Sequence, residues 1–228
     1  MTSRAKLALL TALATEHAAL ARCIGDSSQV VLLQCGVGAA KAREGFTAAL
    51  ARGAERVVLM GFAAGLRAEA LPGRVLVPQQ VLYRQQRLAV DVDWGQRICR
   101  SMAQMNPATE PLLCVDSPLL DVEGKARHAQ EAIGCDMESA AILALASQRN
   151  VPAAVIRVVL DGPDDMVPPL ALAMADADGN FRWPSFGDWM HPGQCWQLAR
   201  LVPRFRFARR RLQAAATRLV GDCGRRSI

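Results

Sequence analysis

The sequence predicts an α/β fold, organised as a three-layer αβα sandwich with helices on both faces of a sheet. Short apolar segments with the length of buried strands alternate with segments of helical periodicity, which is the pattern of layered α/β proteins. The chain has 228 residues, of which 51% are hydrophobic and 21% charged. It is therefore long enough for one sizeable core and too apolar for wholesale disorder.

The N-terminal part contains three predicted strands. "KLALL" at 6–10 is apolar throughout and predicts a buried strand, and "TEHAALARC" after it has helical spacing. "QVVLLQCGVG" at 29–38 predicts a strand that ends in glycines. A helix over 39–53 is predicted to stop at Gly53, and "ERVVLMGFAAGL" at 55–66 predicts the third strand.

The middle of the chain continues the alternation. Strands are predicted within 73–84, 111–121 and 152–165, and helices over 125–132 and from 135–146. After residue 165 the composition changes to loops with Pro, Gly and Trp, followed by a basic helix. No internal repeat is present.

Four predicted strand ends have residues suited to a ligand, and ligands of open α/β sheets bind at the carboxyl ends of the strands. These residues are Gly36 with Gly38, the run Gly61–Gly65, the run Asp116–Leu119, and Asp161. Taken singly, each has a structural explanation, because glycines serve ordinary turns and Asp161 suits an Asx turn. "CGVG" is neither a dinucleotide-binding fingerprint nor a P-loop.

"CDMESAAILALA" at 135–146 places two acids at the mouth of an apolar helix. A helix N-cap explains one of them, and we assign Asp136 to that structural role, whose loss costs about 1 kcal/mol. Capping leaves Glu138 without a task. Because this motif falls beside the edge where the strand ends converge, Glu138 is a candidate ligand-binding residue.

The cysteines and histidines exclude some kinds of site. Seven cysteines form no CxxC pair, and three scattered histidines match no metal-binding spacing, so we predict no metal site. Several cysteines lie in apolar runs, which indicates reduced thiols in a cytoplasmic protein. Glu16 and His17 interrupt the apolar N-terminus, which disfavours a signal peptide, and no apolar run has the length of a membrane span.

The positive charge is concentrated at the C-terminus. The net charge is +6, but residues 196–228 hold nine arginines and one acid, a charge of +8, which leaves −2 on the rest. The body therefore gives no support for nucleic-acid binding. Aromatic residues lie among the arginines, which is typical of a helix at an anionic membrane surface. A terminal helix packed on the body, with solvated arginines, explains the same pattern.

Four motifs in order identify a family resemblance. "VVLLQCGVG", "VVLMGFAAGL", "CDMESAAILALA" and "VIRVVLD" resemble the purine nucleoside phosphorylase and nucleosidase superfamily, and more narrowly the methylthioadenosine/S-adenosylhomocysteine nucleosidases. The hopanoid-associated phosphorylase branch is the most similar. The resemblance covers about residues 6–220 and implies a nucleoside phosphorylase-like sandwich with a central mixed β-sheet. We predict a catalytic domain over 1–195, with 196–228 as a basic appendage.

The resemblance also implies roles for particular residues. Asp161 protonates or hydrogen-bonds N7 of the leaving purine, and Glu16 activates water. Glu138 holds the ribose hydroxyls. The remaining expected substrate-binding residues approach the sugar, an anion or the base, and they are Met137, Gly36, Gly38, Phe62, Ala63, Pro118 and Leu119.

The chemistry of N-glycosidic cleavage suits two carboxyl groups in different protonation states, one as general acid and one ionised. The sequence departs from its relatives at Phe62, where many have Ser, and at Leu160, where Ser is usual. Phe62 removes a hydroxyl that holds phosphate or water, so phosphate as co-substrate and water both stay open. No cofactor is predicted.

Three functions are therefore considered. The first is release of adenine from adenosylhopane in hopanoid lipid synthesis, by a cytoplasmic enzyme held peripherally on the inner membrane face. The second is a soluble methylthioadenosine/S-adenosylhomocysteine nucleosidase. The third is a non-catalytic nucleoside- or lipid-binding protein with this fold. A homodimer is expected from the resemblance.

Overall fold

The computed structural model describes residues 6–24, 29–168, 170–171, 174, 176–180, 182 and 192–225, without the side chains of 192–200 and 223–225. Its strands are β1 (Lys6–Thr11), β2 (Val30–Gln34), β3 (Ala54–Gly65), β4 (Val75–Leu76), β5 (Gln80–Tyr83), β6 (Gln86–Ala89), β7 (Leu112–Cys114), β8 (Gly134–Asp136) and β9 (Ala153–Asp161). Its helices are α1 (Ala14–Ile24), α2 (Ala39–Ala51), α3 (Val92–Ser101), α4 (Val122–Ala126), α5 (Ser139–Arg149) and α6 (Pro192–Arg225).

The nine strands in the described part of the chain form one mixed sheet, as predicted. The main path runs β2-β1-β3-β8-β7-β5-β6, while β9 pairs with β3 and β4. The pairs β1–β2, β1–β3, β3–β9, β5–β7 and β7–β8 are parallel, and β3–β8, β4–β9 and β5–β6 are antiparallel. Strand β3 is the centre of the sheet, because it pairs with β1, β8 and β9.

Helices cover the sheet and complete the predicted three-layer α/β sandwich. Helix α2 packs with α5, while α1 packs with α6, which also covers β9. Strands β1, β3 and β9 are almost wholly buried, with apolar side chains on both faces of the sheet. These strands therefore form a rigid support for any polar side chain at their ends.

Some predicted elements differ from the structure. The segment 73–84 contains the short strands β4 and β5 rather than one strand, and Pro78, which has no N–H to donate, lies between them. The predicted helix at 125–132 is the earlier, shorter α4 followed by turns. The start of the 135–146 helix is strand β8, because its residues pair with β7 and β3, and α5 begins at Ser139.

Helix α6 packs closely on the body from its middle onward. Five buried side chains line its inner face: Ala208, Leu212, Ala215, Ala216 and Leu219. Arg211 donates to the carbonyl of Gly73, and Gln213 donates to the carbonyl of Ala19 in α1. The packed-helix explanation of the tail therefore accounts for this inner face.

The outer face of α6 is basic and partly apolar. Val202 and Phe207 are 43% and 52% exposed, beside the exposed Arg206 and Arg210. The Phe207 ring lies against Gly73, and Leu71, two residues earlier in the chain, is 59% exposed. None of the helices in the described ranges is both long and apolar enough to cross a bilayer.

Candidate active site

Arg157 is the centre of a buried charge cluster. It lies in the middle of β9 and is only 1% exposed. Its Nε donates to Asp136 Oδ2 over 2.8 Å, and its Nη2 donates to Glu138 Oε2 over 2.9 Å. Burial alone lowers the pKa of Arg157, but the adjacent carboxylates of Asp136 and Glu138 outweigh burial and raise the pKa above its ordinary value.

The two acids at the start of α5 differ in their partners. Asp136 ends β8 and uses Oδ1 to accept from the hydroxyl of Ser139 over 2.6 Å and from the Ser139 N–H over 3.4 Å. Glu138 is the N-cap residue of α5, but its side chain makes no capping bond. Instead Glu138 Oε1 accepts the N–H of Gly38 over 2.9 Å. Burial raises the pKa of Glu138, and the adjacent Arg157 opposes this rise. Repulsion between the carboxylates of Asp136 and Glu138 raises the pKa further.

Glu16 adds a third carboxyl group, which lies beside Arg157 over Gly61 of β3. Its Oε2 accepts the N–H groups of Ala12 and Leu13 over 3.0 and 2.9 Å, and its Oε1 accepts the N–H of Phe62 over 2.7 Å. Burial raises the pKa of Glu16 to about 7, although Arg157 partly offsets it. A carboxyl group with a pKa of about 7 is suited to general acid–base work at neutral pH.

Gly61 makes this arrangement possible. It is paired with Arg157 across the β3–β9 ladder. A Cβ at Gly61 would overlap both Glu16 Oε1 and Arg157 Nη1. A residue without a side chain is therefore required where Glu16 and Arg157 meet over the same face of β3.

The glycine turn after β2 lies against the same cluster. Gly36 and Gly38 have φ values of 95° and 87°, in the left-handed region that favours glycine. The N–H of Gly38 is bonded to Glu138, and the N–H of Val37 is bonded to the carbonyl of Ala177. These two backbone donors are thus already occupied by groups of the protein.

Asp161 forms a second buried charge pair at the end of β9. Its Oδ2 accepts from Lys125 Nζ over 2.5 Å, and Lys125 has no exposed surface. Burial raises the pKa of Asp161, while Lys125 opposes the rise. Arg157 and Asp161 are four residues apart on one strand, at most about 13 Å. A ligand lying along these strand ends can therefore meet both clusters.

The remaining predicted residues surround these clusters to different extents. Phe62 is buried, with its ring centroid 5.5 Å from that of Phe205 in α6. Ala63 is buried in β3 and Met137 is half-buried between the two acids. Pro118 is exposed, and Leu119 packs on a small apolar cluster that includes Cys135. In the described ranges, neither Pro118 nor Leu119 is bonded to the acids.

The sequence-based prediction missed Arg157 and Lys125. A signal for Arg157 existed, because a charge inside the apolar run "VIRVVL" needs a buried partner. No such signal marks Lys125, which lies in a polar segment typical of a solvated helix face. Three or more His, Cys, Asp and Glu side chains do not come together as a metal site in the described residues.

Comparison with known proteins places the chain in a family. The family model of the phosphorylase superfamily matches residues 11–180. No protein of curated function matches the sequence.

Solved structures share the fold at low sequence identity. The native futalosine hydrolase of Helicobacter pylori has a TM-score of 0.71 at 14% identity, over 96% of this chain and 97% of that one. A 5'-methylthioadenosine/S-adenosylhomocysteine nucleosidase from S. pneumoniae has a TM-score of 0.67 at 18% identity, over 94% and 99%. The nucleosidase of Colwellia psychrerythraea, solved with adenine, has a TM-score of 0.64 at 21% identity, over 71% and 85%.

These matches confirm the predicted superfamily and the predicted class of enzyme that cleaves N-glycosidic bonds. The hopanoid-associated branch stays a prediction. The chain belongs to the phosphorylase superfamily.

Proposed function

We propose that this protein hydrolyses the N-glycosidic bond of an adenosine-type nucleoside and releases adenine. The observation that supports this most is the buried Glu16 carboxyl, held by three backbone N–H groups and with a pKa of about 7. A group of this kind can be ionised at neutral pH and accept a proton from an attacking water. The nucleosidases and the futalosine hydrolase that share the fold agree with this reaction class.

In the proposed reaction Glu138 orients the ribose. Each of its oxygens already accepts one hydrogen bond, from Gly38 or Arg157, and retains acceptor capacity for a sugar hydroxyl. Its negative charge favours the positive charge that develops on the ribose as the bond to the base breaks. Met137 packs beside the sugar, and Gly36 and Gly38 let the backbone approach.

Asp161 acts on the base in this proposal. It lies further along β9 than Arg157, where it can give a proton to N7 of the purine while Glu138 holds the ribose. Proton donation at N7 neutralises the negative charge that builds up on the leaving base. In this proposal Phe62 and Ala63 contact the substrate from β3, and Pro118 and Leu119 contact the base.

Water is favoured over phosphate by the charges around the cluster. A phosphate ion needs cations or free N–H groups, as at helix N-termini and backbone nests. In the described part of the site, Arg157 is already shared by two carboxylates, and the N–H groups of Val37 and Gly38 are occupied. Three buried acids, Glu16, Asp136 and Glu138, repel a further anion.

The experiment is adenine release from methylthioadenosine, S-adenosylhomocysteine and adenosylhopane, each with and without phosphate. Hydrolysis gives a free sugar with a reducing end at the same rate in both conditions. A requirement for phosphate, with a sugar phosphate as product, would refute the hydrolytic reaction. Absence of adenine release from every nucleoside would favour the non-catalytic binding protein.

A lipid-linked adenosine such as adenosylhopane is the substrate we favour within this class. The outer face of α6 supports it, because exposed apolar side chains at Val202 and Phe207 lie beside Arg206 and Arg210. A basic surface with exposed apolar side chains suits reversible binding to an anionic bilayer. A higher rate on methylthioadenosine than on adenosylhopane in anionic vesicles would favour the soluble nucleosidase. The homodimer stays a prediction.

A further inference from the structure

Lys125 is buried without any exposed surface, and its ammonium is enclosed by three oxygen atoms. Nζ donates to Asp161 Oδ2 over 2.5 Å, to the carbonyl of Gly162 over 2.8 Å and to the carbonyl of Asp165 over 2.8 Å. A lysine ammonium has three N–H donors, whereas a neutral amine has two. The three acceptors thus match the charged form.

The loop after β9 is built to keep this enclosure closed. The side chain of Asp165 turns back, and its Oδ2 accepts the N–H of Gly162 over 2.8 Å. Its other oxygen forms an ion pair with Arg204 of α6. Two oxygens around Lys125 therefore belong to a loop that is held both internally and by the last helix.

The enclosure leaves one oxygen of Asp161 for another partner. Lys125 is bonded to Oδ2, and within the described residues no hydrogen bond from another residue reaches Oδ1. The charged and titratable groups around Asp161 are Lys125 from α4, Asp165 with its partner Arg204, and Cys135 of β8. Lys125 is the only one of these described groups that is a cation in direct contact with Asp161.

Burial and Lys125 act on Asp161 in opposite directions. Burial raises the pKa of Asp161, and the ammonium lowers it. A buried carboxyl group without a cation would hold its proton too tightly to give it to a purine. A cation held at a fixed oxygen makes the conjugate base more stable and the group a stronger acid.

We propose that Lys125 is the positioning residue for Asp161: it fixes Oδ2, directs Oδ1 toward the purine, and stabilises the carboxylate that remains after proton transfer. This inference rests on the proposed function. As the bond between the ribose carbon and the purine N9 breaks, its electron pair goes to the purine, and N7 takes the proton from Asp161 Oδ1. Water adds its hydroxyl to the ribose carbon and gives its proton to Glu16. Solvent then returns a proton to Asp161 and takes one from Glu16.

The test is a double-mutant cycle of adenine release with wild type, Lys125→Met, Asp161→Asn and the double variant. General acid catalysis contributes roughly 10²–10⁴-fold, so Lys125→Met is expected to lower kcat at least about tenfold. In the Asp161→Asn background the same substitution is expected to change kcat less than about twofold, because the group on which Lys125 acts is gone. An equal loss in both backgrounds indicates a purely structural role and overturns the inference.

The pH profile gives a readout that packing alone does not change. Adenine release by a general acid falls as the pH rises through the pKa of the acid. Without the cation, the alkaline limb of kcat/KM is expected to move upward by about 1–3 pH units in Lys125→Met. An unmoved limb would contradict the proposal. Lys6→Met is the matched control, because Lys6 is exposed at the start of β1 and should leave both rate and profile unchanged.

Removing one member of a buried ion pair destabilises a protein. If Lys125→Met does not fold, Lys125→Gln retains two hydrogen-bond donors without the charge and takes its place in the same cycle. Failure of the inference is distinct from failure of the proposed function. Wild type that releases adenine while the cycle is additive overturns only the role of Lys125, whereas wild type that is inactive on every nucleoside overturns both.

Discussion

Gly38 donates its backbone N–H to Glu138 Oε1 over 2.9 Å, although the two residues are one hundred positions apart in the chain. The bond ties the turn after β2 to the start of α5. It also explains the second acid in "DMES", because the Glu138 side chain makes no capping bond to α5. Asp136 and Glu138 share Arg157, yet their other oxygens face different partners.

Substitution of these two acids is expected to separate activity from stability. Glu138→Gln removes the charge that favours the developing positive ribose, so adenine release should fall roughly 10²-fold with a smaller loss of stability. Asp136→Asn leaves Arg157 with one charged partner fewer in a fully buried site, and should cost roughly 3 kcal/mol in the free energy of unfolding. This is more than the cap value expected from sequence, because the ion pair with Arg157 was not foreseen. Denaturant unfolding and steady-state kinetics on both variants measure the effects, and the opposite pattern would exchange the two roles.

Asp161→Asn is expected to lower kcat for adenine release by roughly 10²–10⁴-fold while the substrate still binds. Asn retains the shape and one hydrogen bond but has no acidic proton. Single-turnover kinetics and equilibrium binding of an adenosine analogue make the comparison. Turnover close to wild type would rule out Asp161 as the general acid.

Glu16 is expected to make stability depend on pH. Burial raises its pKa from 4.5 in the unfolded chain to about 7 in the folded one, so the folded protein binds this proton more tightly. Stability is therefore expected to fall as the pH rises from about 4.5 to about 7, by roughly 3 kcal/mol for this group, with no further loss above pH 7. Adenine release shows the opposite trend and rises through pH 7, because the base must be ionised.

The control for this prediction is Glu16→Gln. Burial also raises the pKa values of Glu138 and Asp161, so only the difference between wild type and the variant isolates Glu16. We expect the variant to lose the Glu16 part of the pH dependence, measured by denaturant unfolding at pH 5 and pH 8, and to lose roughly 10²–10⁴-fold in activity. The same change of unfolding free energy with pH in both proteins would show that Glu16 titrates normally.

The outer face of α6 is expected to bind anionic vesicles. Charge reversal at Arg206 and Arg210 should abolish salt-sensitive flotation with such vesicles, since each arginine near the surface contributes about 1 kcal/mol. Arg211 is unsuitable for this test, because it is half-buried and bonded to the carbonyl of Gly73. Charge reversal at the exposed Arg43 and Arg149, on α2 and α5, changes the net charge equally and is the control. Equal flotation of both variants and wild type would leave α6 as a packed helix only.

The layered architecture follows from local patterns, and most strand ends could be predicted because buried strands are short, apolar and bounded by glycines or acids. Helix α3 was missed because it is short and mostly polar: only Trp94 and Ile98, four residues apart, are buried, and Gly95 lies inside it. Strand β8 was missed for another reason. Its three residues exist as a strand only through pairing with β3 and β7, which are distant in sequence.

In the candidate site, too, some residues could be predicted from the sequence and others could not. Glu16, Glu138 and Asp161 are acids next to predicted strand or helix ends, so a sequence alone can single them out. Their partners Arg157 and Lys125 are chosen by the three-dimensional packing. Which acid meets which cation depends on contacts between residues 19 to 36 positions apart, and periodicity has no information about such contacts.

Helix α6 has a consequence for the order in which the molecule is completed. Arg204 binds Asp165, Phe205 covers Phe62, and Gln213 is bonded to Ala19 near the beginning of the chain. A nascent chain synthesised only as far as β9 already holds Glu16, Glu138 and Asp161, but it lacks helix α6 and these three contacts. We therefore expect activity to begin with the docking of α6 after translation of the sheet, rather than with the closing of the sheet itself.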